Sequence, residues 1–183
     1  PPDHALDREA DRRMATLYLP DRKVTMLPPE LSDHKGSLLP GESRPALSVL
    51  VKVSESGEPL EWEVIPSVVR SEASLSYVEA DDAIDDRQNP RHQTLAPLAR
   101  VAGALRRRRE AKGAIVLDRP EMEVVVGPHK EVAVRTVPRS TPARTMVTEL
   151  MILCNSLLAE FCRREGLPAA FRSQEAPDLG DVD

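Results

Sequence analysis

Apolar and polar positions change their spacing several times along the chain. Ala5, Leu6 and Ala10 form one narrow apolar face among charged neighbours, which predicts a short helix over 5–13. From 16 to 31 the prolines at 20, 28 and 29 interrupt any period. The Leu, Val and Met side chains there need burial, so the segment reads as ordered coil. Pro28-Pro29 opens a short helix ending near Ser32. Ala46–Val53 and Leu60–Arg70 have strand character, and Ser56-Gly57-Glu58 between them gives a hairpin turn. Pro66 marks a bulge or an edge position in the second strand. Ser74–Tyr77 continues extended, Tyr77–Ile84 reads as a short acidic helix, and residues 86–92 form a polar loop. Leu95, Leu98, Ala102 and Leu105 then recur at helical spacing, predicting a helix over 93–112 that ends at Gly113. Three strands follow at 114–117, 122–126 and 132–137. Thr141 caps the last helix and Pro142 is its first residue. Val147, Leu150, Met151, Cys154, Leu157, Leu158 and Phe161 supply its apolar stripe, with Glu149 off that stripe. The fold class is α+β, with a mostly antiparallel sheet and packed helices. Residues 1–174 make the domain, and 175–183 make a mobile acidic tail.

Composition narrows the function classes. A length of 183 residues suits one domain. With 25 basic and 30 acidic residues the net charge is −5, which argues against a stand-alone, non-specific nucleic-acid binder. Seventeen prolines against eight glycines exclude collagen-like repeats and Gly/Ser linkers. No apolar run approaches the roughly 18–20 residues of a membrane span, which excludes a transmembrane protein, and no secretory signal opens the chain. Cys154 and Cys162 lie eight residues apart in one predicted helix, about 12 Å along its axis. A disulfide spans only about 4.4–6.8 Å between Cα atoms, so the two read as buried thiols in a reducing compartment, by default the cytoplasm. The first residue is Pro1, not Met, and the chain is expected to be a piece of something longer.

Few residues carry chemistry by pattern alone. Asp81, Asp82, Asp85 and Asp86 put four carboxylates in six residues, a donor set suited to magnesium. A helix N-terminal region running into a solvated loop explains them better. The four histidines are scattered in predicted turns, with no spacing suited to zinc. Phosphate-binding glycine loops and serine-hydrolase elbows are missing from the sequence. Arg106 to Arg109 can touch phosphates, although a solvated helix end explains them better. Tyr18 and Tyr77 close irregular segments, where a ring can stack on a base or simply pack.

A longer pattern resembles a known family. Leu6-Asp7-Arg8-Glu9-Ala10, then Leu17-Tyr18-Leu19-Pro20, then Met26-Leu27-Pro28-Pro29-Glu30-Leu31-Ser32 resemble the RNB catalytic domain of the ribonuclease II and ribonuclease R family. Arg44–Ser48, the strand ending in Leu75-Ser76-Tyr77, the helix segment Met146–Asn155 and Phe171-Arg172-Ser173 follow in the same order. The resemblance implies part of a 3′→5′ exoribonuclease that hydrolyses single-stranded RNA to nucleoside monophosphates with magnesium. It implies that Tyr18 helps clamp bases in the channel, that Tyr77 lies near the 3′-terminal nucleotides and that Glu149 contacts the terminal sugar. Leu117 stands where the family often has an aromatic, keeping apolar contact with RNA but losing the π face. The family's metal-holding aspartates precede the matching segment, so no catalytic or metal role passes to the Asp81–Asp86 group. Flanking oligonucleotide-binding barrels in the same chain are implied partners. The other reading of the residues is a non-catalytic RNB-like scaffold that binds RNA or protein.

Overall fold

A computed structural model describes residues 3–116 and 119–171. The elements run α1 (Ala5–Arg13), β1 (Leu17–Tyr18), β2 (Lys23–Val24), a π-helical turn (Glu30–Lys35), β3 (Ser43–Val53), β4 (Pro59–Arg70), α2 (Tyr77–Asp85), α3 (His92–Ala111), β5 (Glu121–Val126), β6 (Val132–Val137) and α4 (Pro142–Arg164). Among the described residues the strands form three separate antiparallel ribbons, β1–β2, β3–β4 and β5–β6, rather than one sheet. A parallel bridge between Pro40 and Ser71 closes the root of the long ribbon.

Several sequence expectations change. The 16–31 coil contains a small hairpin, β1–β2, around the Pro20-Asp21 turn. Two-residue strands are too short to show a period of two. The short helix opened by Pro28-Pro29 continues past Ser32 to Lys35 as one π-helical turn. Ala114–Val116 are irregular, not strand, and Leu117 and the 175–183 tail lie outside the described residues. The β-bulge sits between Lys52 and Val53, not at Pro66, which pairs with Leu47. Pro66 is tolerated because each strand of a two-stranded ribbon has a free edge.

The long hairpin explains its own broken alternation. Ala46 and Ser48 face inward with Ser67 and Ile65, but toward the tip Val49, Val51, Trp62 and Val64 take over. Register is unbroken across that switch. The two halves of the ribbon therefore turn opposite faces inward, as the strong twist of a two-stranded ribbon allows.

The core is the α2–α3–α4 bundle, with the β3–β4 ribbon laid on α4. Its buried residues are small: Ala80 and Ala83 of α2, Ala96, Ala102 and Ala104 of α3, Ala143 of α4. Short side chains let helix backbones approach closely, and Leu105, Met146 and Leu157 fill the larger gaps. α4 is long and apolar enough, by length and composition, to cross a membrane. This corrects the expectation that no run reaches that length. Its place in the structure is against α2, α3 and the ribbon. Both cysteines of α4 are unbridged and half-buried.

Caps fix the helix starts. Ser76 and Glu79 form a reciprocal capping box on α2. The Ser76 amide and hydroxyl both bond the Glu79 carboxylate and hold it below its usual range. Thr141 caps α4 through the Arg144 amide. The first free amide of α4, that of Ala143, donates to Asp81 Oδ1 at 2.7 Å. Asp81 is thus a tie between α2 and α4, and Asp86 caps its own loop through the Gln88 amide. A hydrogen bond to a charged acceptor contributes about 1.5–3 kcal/mol. Replacing Asp81 with Ala is expected to lower the unfolding free energy by that amount in urea titration. An unchanged midpoint would show that the tie does not hold the two helices.

Candidate RNA-contact site

Glu149 sits in the second turn of α4, on its buried face with Ala143 and Met146 rather than off the stripe. Its side chain is 4% exposed. The sequence pattern placed the stripe one step around the helix, through Val147 and Met151, which are exposed. A carboxylate survives inside because α3 brings it a partner. Arg109 donates from Nη2 to Oε1 at 2.7 Å and from Nε to Oε2 at 3.2 Å, a two-pronged fork. The bond to Glu149 pushes the Arg109 pKa above its already high value. The carboxylate's remaining lone pairs are the ones available to a ligand hydroxyl.

The basic run at the end of α3 is therefore more than a solvated terminus. Arg106 pairs with Glu110 at 2.9 Å, Arg108 reaches Glu58 of the hairpin tip at 3.5 Å, and Arg109 holds Glu149. Beside Glu149 lies a cleft of about 280 Å³ lined by Arg106, Arg109, Arg139, Thr145 and Thr148, with Ile115 and Val116 as its apolar wall.

Tyr77 is the first residue of α2. The guanidinium of Arg144, from the first turn of α4, lies over its ring 4.4 Å from the centroid. That contact steadies the ring while leaving Tyr77 40% exposed. Tyr77 and Glu149 are thus both tied to α4 and its neighbours, Tyr77 through Arg144 and Glu149 through Arg109. Tyr18 is 80% exposed on β1, whose pairing is with β2, and neither Tyr18 nor Tyr77 lines the cleft beside Glu149. Neither Arg144 nor Arg139 stood out in the sequence. Arg144 carries one usable signal, its place three residues after the Thr141 cap, which turns it toward the start of α2.

The profile of the RNB domain matches residues 1–183. The chain belongs to the RNB domain family. It is 33% identical over 183 residues to Ribonuclease R of Aquifex aeolicus, covering 97% of this chain and 26% of that protein. The fold of this RNB chain is similar to Mycoplasma genitalium RNase R in complex with double-stranded RNA, with a TM-score of 0.81 at 22% identity, over 91% of this chain and 30% of that one. It is also similar to yeast Ssd1, described as a pseudonuclease, with a TM-score of 0.65 at 21% identity, over 91% and 20% of the two chains. The RNB chain spans about a quarter of the length of the curated relatives it matches.

Among the described residues no three His, Cys, Asp or Glu side chains gather as a metal site. The Asp81–Asp86 group does not fit one either, since Asp81 and Asp86 already accept backbone amides.

Proposed function

We propose that this RNB chain forms one wall of the RNA channel in a 3′→5′ exoribonuclease that hydrolyses single-stranded RNA to nucleoside monophosphates. The observation that carries the reading is Glu149, a buried carboxylate that α3 orients with a fork from Arg109 and presents at the edge of an arginine-lined cleft. In this reading Glu149 accepts hydroxyl hydrogens from the terminal ribose. Tyr77, braced from one side by Arg144, stacks on a base near the 3′ end, Tyr18 clamps a base further along the strand, and Leu117 makes apolar contact. A divalent metal, magnesium, supplies phosphodiester cleavage chemistry when bound. Its carboxylate ligands lie elsewhere in the protein, as do oligonucleotide-binding barrels that complete the channel. The setting is cytoplasmic.

The test uses the full-length protein with 5′-labelled single-stranded RNA and magnesium. Stepwise loss of 3′ nucleotides, recovered as monophosphates, is the expected result. Base–aromatic stacking is worth about 1–3 kcal/mol per base, so Tyr18→Ala and Tyr77→Ala should each weaken RNA binding by roughly 5- to 150-fold at fixed salt. RNA binding without hydrolysis would favour the scaffold reading, which the likeness to a pseudonuclease keeps in view. A full-length protein that binds no RNA would defeat both.

A further inference from the structure

The cleft beside Glu149 holds more positive charge than its single carboxylate neutralises. Three guanidinium groups, Arg106, Arg109 and Arg139, meet there from the end of α3 and the segment before α4. Glu149 neutralises Arg109, and Glu110, which does not line the cleft, engages Arg106 through Nε alone. Arg139 has no carboxylate partner among the described residues, and it is exposed at the mouth. The hydroxyls of Ser140, Thr145 and Thr148 add neutral donors around them. The α4 terminus contributes little, because the amides of Ala143, Arg144 and Thr145 are already bonded to Asp81, the Thr141 hydroxyl and the Thr141 carbonyl. A ligand is therefore met by side-chain forks and hydroxyls, a donor set matched to a tetrahedral oxyanion. At about 280 Å³ the space falls just below the roughly 300–1,000 Å³ of sites that enclose a whole small molecule. It suits one group of a larger ligand.

We propose that this cleft is a phosphate subsite, in which Arg139 and Arg106 grip one backbone phosphodiester of the RNA strand next to the nucleotide at Glu149. The inference rests on the exoribonuclease reading and adds a backbone contact to it. The Glu149–Arg109 pair then has two tasks: it presents the carboxylate, and it keeps that carboxylate from repelling the phosphate. Ile115 and Val116 add apolar surface to the lining of the cleft.

The experiment measures binding of the full-length protein to a single-stranded oligoribonucleotide in EDTA, as a function of salt. Each neutralised phosphate of a single strand contributes about 0.7 to the slope of log K against log salt. Arg139→Gln is expected to lower that slope by about 0.7, and Arg139→Lys, which keeps the charge, to restore most of it. A scan with single methylphosphonate linkages near the 3′ end should find one position that weakens wild-type binding and leaves the Arg139→Gln variant unaffected. Arg139 is exposed, so its loss does not threaten the fold. An unchanged slope, or equal sensitivity of both proteins to every linkage, overturns the subsite while leaving RNA hydrolysis by the wild type intact. Competition by inorganic phosphate at matched ionic strength, with indifference to methylphosphonates, would make it a free-phosphate site and also overturn the proposal. A wild type that neither binds nor hydrolyses RNA removes the exoribonuclease reading and the subsite with it.

Discussion

Arg109→Leu is expected to destabilise the intact protein by about 3–5 kcal/mol, the usual consequence of breaking a buried ion pair from one side. The effect comes from what remains rather than from what is removed. Glu149 is 4% exposed, while Arg109 keeps 31% of its side chain accessible. Truncating the arginine takes both prongs of the fork from a carboxylate that is almost wholly buried. The double variant Arg109→Leu with Glu149→Leu removes both charges and fills the space with apolar volume, and it should recover most of the loss. Arg109→Lys keeps the charge but not the two-pronged geometry, so it should fall between. Urea unfolding of the wild type, the Arg109→Leu and Glu149→Leu single variants and the double completes the cycle, with Arg109→Lys measured beside them. A single Arg109→Leu variant as stable as the double would show that Glu149 finds another partner or lies more open than its burial implies. RNA binding separates the roles further. On the proposed function the double variant should fold but bind the 3′ end of RNA weakly, because the carboxylate proposed to contact the terminal sugar is gone.

The second large effect is expected at Gly57, in the tip of the β3–β4 hairpin. Its φ is +81°, in the left-handed region, where an L side chain costs about 1–2 kcal/mol. The tip also presses onto α3. A Cβ at this position would lie 2.7 Å from the Ala104 carbonyl carbon and 2.8 Å from the Leu105 nitrogen. Those are backbone atoms in the middle of a helix, so they cannot swing aside. Overpacking of that kind adds about 1–3 kcal/mol. Gly57→Ala should therefore lose roughly 2–5 kcal/mol in all. Gly166 supplies the control: its φ is +64° and a Cβ there meets nothing within 4 Å. Gly166→Ala should show the conformational cost alone, and thermal melts of the two variants should separate clearly. Equal melting temperatures would mean that the hairpin tip does not dock on α3.

The two sites differ in how visible they were. Gly57 was legible as a turn, since Ser56-Gly57-Glu58 falls between two apolar runs. That it is also a helix contact was not legible, because Ala104 lies far along the chain and nothing local links them. Glu149 was legible through its place in a family-like helix, yet its burial was not. An apolar stripe is counted from the apolar residues, so a buried acid looks like an interruption. The partner that makes its burial tolerable, Arg109, is forty residues away. The same reason hid the role of Asp81. Four carboxylates in six residues read as a solvated or metal-binding cluster, and only the packing of α2 against α4 turns one of them into a cap.

Local sequence sufficed wherever the physics is local. Proline and threonine set the start of α4, glycines ended α3 and α4, and alternation defined the long hairpin to within a few residues. Family membership was likewise legible, because it rests on the order of residues along the chain. Tertiary structure alone decided that the strands form separate ribbons, that Glu149 faces inward, and that three arginines from two segments line one cleft. Each of those depends on which helix faces which. Burial and pairing of a charge belong to two distant stretches of chain at once, and neither stretch encodes them by itself.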